Sequence, residues 1–187
     1  MLTLLAYCSR PHRHPVYGAF AWCQQKCTFN GLVPEVVISV REPYSFYRSL
    51  FTYGWKCQYA AVCVPYHVSN FSRFMEWIYS GNRNVAQSRH VANACGTPCA
   101  YDHVLHTESL GDDWIRLVEA LALPRRPLPW ANPTSNNQPV GRGPPPPTVF
   151  TSRVVEIINE LEANMFDEFG YEHRQAPFEL SSHHHDE

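Results

Sequence analysis

The stretch VVISVREPYSFYRSLF, residues 36–51, decides how the chain is read. Val36 to Val40 is a short apolar run rich in β-branched residues, the pattern of a strand buried on both faces of a parallel sheet. Arg41 closes the run. Pro43 fits the first turn of a helix, where its missing N–H costs nothing. Tyr44 to Phe51 continues that helix, with Phe46, Leu50 and Tyr53 spaced to face a sheet. A cation therefore stands at the carboxyl end of a buried strand, next to a helix N-terminus. Open α/β sheets bind ligands at that edge, and helix N-termini favour anions.

Outward from this stretch the pattern is mixed. Upstream, Leu2 to Tyr7 (LTLLAY) reads as a second strand and Val16 to Phe29 as a helix. Strand, helix and parallel strand in that order predict a right-handed crossover. Downstream, Phe71 to Tyr79 has helical spacing, with Phe71, Phe74 or Met75, and Ile78 on one side. A core stripe is the preferred reading of these aromatics, ahead of a pocket lining. Gly81 to Pro98 is polar and punctuated by Gly and Pro, which predicts a loop or small insertion.

His103 to Thr107 reads as a short strand. Ser109-x-x-Asp112 is a capping-box-like start to a helix with Trp114, Leu117, Val118 and Leu121 on one face. Pro124 to Pro147 predicts an extended connector. From Thr148 to Tyr171, Val154, Ile157 or Ile158, Leu161 and Met165 recur with helical period, and Gly170 suits the stop. The tail SSHHHDE reads as flexible.

Composition narrows the classes. A chain of 187 residues, 44% hydrophobic, is long enough for one domain with a real core. A net charge of −2 gives no support for a nucleic-acid or membrane-surface partner. No run of 18 apolar residues is present, so no membrane span is expected. The opening MLTLLAYCSR lacks the basic front of a signal peptide. Among seven cysteines, Cys23/Cys27 and Cys95/Cys99 form two C-x3-C pairs with His90 nearby. That spacing departs from the C-x2-C of zinc ribbons, so no metal is expected, and buried thiols or disulfides are the preferred reading.

Arg41, Pro43 and Ser49 form R-x-P with a Ser eight residues after the Arg. This resembles the 3′-phosphate-binding element of sulfotransferases that use 3′-phosphoadenosine 5′-phosphosulfate (PAPS). The resemblance implies that Arg41 and Ser49 hold the 3′-phosphate, a task suited to the guanidinium fork. An Arg salt-bridged at a strand end is the plain alternative. His14-Pro15 is similar to the T-H-x-P-like stretch whose His is the general base in some relatives, with His12 as the rival. A near-neutral imidazole suits removal of a hydroxyl proton, while exposed loop histidines are the plain alternative.

Two further landmarks carry the resemblance. The run HTESLGDD to LALP (106–124) looks like the pattern that follows the acceptor region, with Glu108 as a positioning group. FDEFGY (166–171) is similar to the ending of Golgi-type and bacterial members. The R-K-G-x-x-G-D-W stretch of cytosolic relatives has only a vague echo in Gly141-Arg142-Gly143, which points away from that branch.

The resemblance implies a three-layer α/β domain of the P-loop NTPase-like type with a mostly parallel sheet. It would span 1–171, including the connector 124–147, with 172–187 as a flexible tail. The implied reaction is sulfuryl transfer from PAPS, as cosubstrate, to a hydroxyl or amine acceptor, carbohydrates included. The family's 5′-phosphosulfate loop, a Gly/Ser/Thr-rich turn with a basic residue, has no counterpart in residues 1–35. The domain is therefore expected to be N-terminally incomplete and without transfer activity as given. The competing reading is a non-catalytic nucleotide-binding or interaction module on the same fold.

Overall fold

The computed structural model describes residues 35–56, 64–65, 68–95, 101–128 and 145–178. Two strands, β1 (Val37–Val40) and β2 (His103–His106), pair in parallel. Six α-helices accompany them among the described residues: α1 (Pro43–Lys56), α2 (Phe71–Gly81), α3 (Gln87–Cys95), α4 (Leu110–Ala120), α5 (Ser152–Leu161) and α6 (Ala163–Phe169). Short 3-10 turns cover Arg83–Val85 and Thr107–Ser109. The class is α/β with a parallel sheet. The chain divides into two compact units, the first from residues up to Glu42 and Gln87–Pro129, the second from Pro43–Ala86 and 130–187.

The first unit holds the strand pair. Val37 stands opposite His103 and Val40 opposite His106. Ile38 and Val40 are buried, but Val37 and Ser39 are only partly so; the strand expected to be buried on both faces alternates instead. At the amino end the Asp102 carboxylate accepts the Val36 N–H (2.7 Å), and the Val36 carbonyl accepts from Asp102 (2.9 Å) and His103 (3.1 Å). α4 packs on β2 through Leu117 and Val118, both buried. Trp114, expected on that face, is only half-buried, and its indole donates to the Arg126 carbonyl.

Two local expectations in this unit are corrected. Ser109 makes no side-chain cap; the 3-10 turn at Thr107–Ser109 runs straight into α4, and Asp113 supplies the binding carboxylate instead. Residues 81–98 are no simple loop, because α3 occupies Gln87–Cys95. Its sequence is polar, but Val91 and Gln87 are buried, and that anchoring is tertiary.

The second unit is helical around an aromatic core. α1 buries Tyr44, Tyr47 and Phe51, spaced three and four residues apart. The expected stripe differs: Phe46 and Leu50 are half-buried and Tyr53 is 51% exposed. The α2 stripe is a core stripe, with Phe71, Phe74, Met75 and Ile78 all buried. Asn70 caps α2 by accepting the Arg73 N–H at 2.9 Å. Phe71 meets Phe51 edge-on at 5.5 Å and Phe150 at 5.2 Å.

The C-terminal helix is two helices, not one. Glu162 leaves helical torsion (φ −117°, ψ 20°), and its carbonyl accepts from Met165 (2.7 Å) and Phe166 (3.2 Å), restarting the turn as α6. Ile157 and Met165 are buried and Leu161 is partly so. Within this unit α5 packs on α2 and α1. α6 stops at Gly170, whose φ of 68° suits a residue without Cβ. Beyond it Glu172 to Gln175 are exposed, and Phe178 pairs with Phe150 in a short antiparallel bridge and stacks on it at 4.6 Å.

Candidate functional site at the carboxyl end of the strand pair

In the first unit the ladder ends at Val40 and His106, yet the β1 backbone stays bonded for two more residues. The Thr107 hydroxyl donates to the Val40 carbonyl at 2.8 Å. The Gln87 side-chain amide takes both polar groups of Arg41: its Oε1 accepts the Arg41 N–H at 2.9 Å and its Nε2 donates to the Arg41 carbonyl at 2.7 Å. The Glu108 carboxylate accepts the Glu42 N–H at 2.8 Å. Three side chains thus hold three consecutive residues centred on Arg41.

Each clamp residue has a local reason for its place. Thr107 and Glu108 follow β2 directly, so the parallel register delivers them beside the end of β1. Gln87 opens α3 and is 1% exposed. Its one carbonyl and one amide group reproduce what the peptide of a neighbouring strand would offer. Arg41 itself is half-buried.

A second cluster lies on the other flank of β2. The Asp113 carboxylate, from the first turn of α4, accepts the His106 backbone N–H at 2.6 Å, contacts the His106 ring at Nδ1 (3.1 Å) and pairs with Arg116. Asp113 is 4% exposed. Burial alone would raise its carboxyl, but the His106 hydrogen bonds and Arg116 outweigh that and hold it below the ordinary carboxylate value. The ionised carboxylate can only accept, so Nδ1 of His106 carries the hydrogen. A depression of about 320 Å³ opens here, lined among others by Asp102, His103, His106, Asp113 and Arg116. At the far end of β2, His103 Nε2 pairs with Glu35.

The predicted site residues fall as follows. Arg41 closes β1 in the first unit, at the centre of the clamp. Ser49 is half-buried on α1 in the second unit. His12 and His14 lie outside the described residues, as do Cys23, Cys27 and Cys99. Glu108, read as a positioning group, accepts the Glu42 N–H beside Arg41. Gln87, Thr107 and Asp113 were missed. A Thr and an acid just past a strand are visible in sequence; a Gln opening a polar helix carries no signal.

No helix of the described residues is long and apolar enough to cross a membrane. Compared with protein-family models, with curated proteins and with solved structures, the chain matches none.

Proposed function

We propose that the carboxyl edge of β1 binds the 3′-phosphate of a PAPS-type nucleotide through Arg41, in a sulfotransferase-like protein whose acceptor is a hydroxyl or amine. The observation that carries this reading is the clamp on residues 40–42. The two peptide groups that flank the Arg41 Cα are each held at both N–H and C=O, which sets where the Arg41 side chain starts. A guanidinium so anchored loses less freedom when its fork meets two phosphate oxygens. Its place at the end of a parallel strand is where such sheets take ligands.

The test is a calorimetric titration with adenosine 3′,5′-bisphosphate and, in parallel, adenosine 5′-monophosphate. Arg41→Ala should weaken the first by about 1.5–3 kcal/mol, the range for a charged hydrogen bond, and leave the second unchanged. Equal losses for both nucleotides, or no binding by the unaltered protein, would overturn the reading.

A second reading is a nucleotide-binding or interaction module without transfer. It is favoured by the lack of any Gly/Ser/Thr-rich phosphosulfate turn in residues 1–35. Binding without turnover would select it.

A further inference from the structure

We infer that Gln87 is a positioning residue for Arg41: it sets phosphate affinity through the Arg41 peptide, with no contact of its own to the ligand. The inference rests on the nucleotide reading above, but its physical basis stands apart from it. Thr107 and Glu108 hold the outer halves of the two peptide groups that flank the Arg41 Cα, at the Val40 carbonyl and the Glu42 N–H. Gln87 holds both polar groups of Arg41 itself, at 2.9 and 2.7 Å. At 1% exposure, it is sealed from solvent and has no surface to offer a ligand.

Burying a Gln is costly. It loses rotamer freedom, and its amide must be matched on both ends to offset desolvation. Here both ends are matched by one residue, the one proposed to meet the phosphate. Gln87 also begins α3, so its own backbone is set by a helix rather than a loop. Sites held on regular elements keep their geometry better than sites held on loops. The arrangement fixes Arg41 before a ligand arrives.

Two substitutions separate the amide's two halves. Gln87→Ala removes both bonds. Gln87→Glu keeps an acceptor for the Arg41 N–H but turns a carboxylate oxygen towards the Arg41 carbonyl, where a donor is needed. Circular dichroism first establishes that each variant is folded at the temperature used. Adenosine 3′,5′-bisphosphate and adenosine 5′-monophosphate are then titrated into the unaltered chain, both Gln87 variants, Arg41→Ala and the Gln87→Ala/Arg41→Ala double variant.

Each Gln87 variant should weaken the bisphosphate about tenfold, roughly one or two hydrogen bonds' worth, and leave the monophosphate unchanged. The Gln87→Ala effect should vanish when Arg41 is already Ala, because the two act as one unit. Equal weakening of both nucleotides, or a loss that persists in the double variant, would overturn the inference.

A ligand-free measurement keeps it separate from the nucleotide reading. In Gln87→Ala the Arg41 amide should exchange with solvent about tenfold faster, while the Ile38 amide in the ladder keeps its rate. An unchanged Arg41 rate would refute the positioning role even if nucleotide binds. Faster Arg41 exchange in a protein that ignores both nucleotides would leave Gln87 as the holder of Arg41 and remove the phosphate reading alone.

Discussion

At Asp113 one buried carboxylate serves a backbone N–H, an imidazole and a guanidinium at once. Its folded-state carboxyl lies below the ordinary value, so the folded protein binds a proton there less readily than the unfolded chain. That stabilisation is complete above the ordinary carboxylate range and is lost as pH falls through it towards the folded value. Asp113→Asn keeps one acceptor but loses the charge. It should cost about 1.5–3 kcal/mol at neutral pH and flatten the acid limb of the stability curve below about pH 4. Urea titrations of both proteins across that range are the check. An acid limb equally steep in the variant would show that Asp113 does not titrate as argued.

At the scale of elements, α4 and α5 make opposite points. α4 ends in a Schellman arrangement: the Leu123 N–H bonds the Val118 carbonyl at 2.8 Å and the Ala122 N–H bonds that of Glu119 at 3.1 Å. This puts Ala122 at φ 50°, a left-handed position where a Cβ is strained. Ala122→Gly should therefore stabilise the protein by about 0.5–1 kcal/mol, the relief of strain less the entropy of a freer unfolded chain. A lower melting temperature would contradict this.

α5 is held by burial instead. Ile157 is 1% exposed, so Ile157→Ala should cost about 2–5 kcal/mol. Leu161, only partly buried at the end of the helix, should cost less when cut to Ala. A lower denaturant midpoint for Leu161→Ala than for Ile157→Ala would mean that the packing here is misassigned.

Across the whole molecule, the two compact units divide the motif that first suggested a function. Arg41 belongs to the strand unit; Pro43 and Ser49 belong to the helical one. Binding at Arg41 and chemistry on a sulfuryl group are separate demands. Transfer needs donors around the sulfuryl oxygens, and losing a single such donor costs about 10²–10³ in rate. Transfer of labelled sulfate from PAPS to sugars, phenols or steroids, measured beside nucleotide binding, is the assay that separates the two.

The sequence by itself determined the elements whose residues agree locally. The β-branched run 36–40, the stripe from Phe71 to Ile78 and the stop at Gly170 are each set by periodicity or backbone preference over a few residues. Tertiary structure decided what local preference leaves degenerate. α1 carries apolar residues on two neighbouring faces. The face that is buried is the one whose Tyr44 and Tyr47 hydroxyls find Asn159 and Glu162, 115 residues away in each case; a buried hydroxyl without a partner is costly. The same Glu162 interrupts a run that reads as one helix. Gln87 lies 46 residues from Arg41 in a helix whose sequence is mostly polar. Hydrogen bonds across such separations exist only once the chain has folded, which is why the clamp around Arg41 could not be read from its neighbours in sequence.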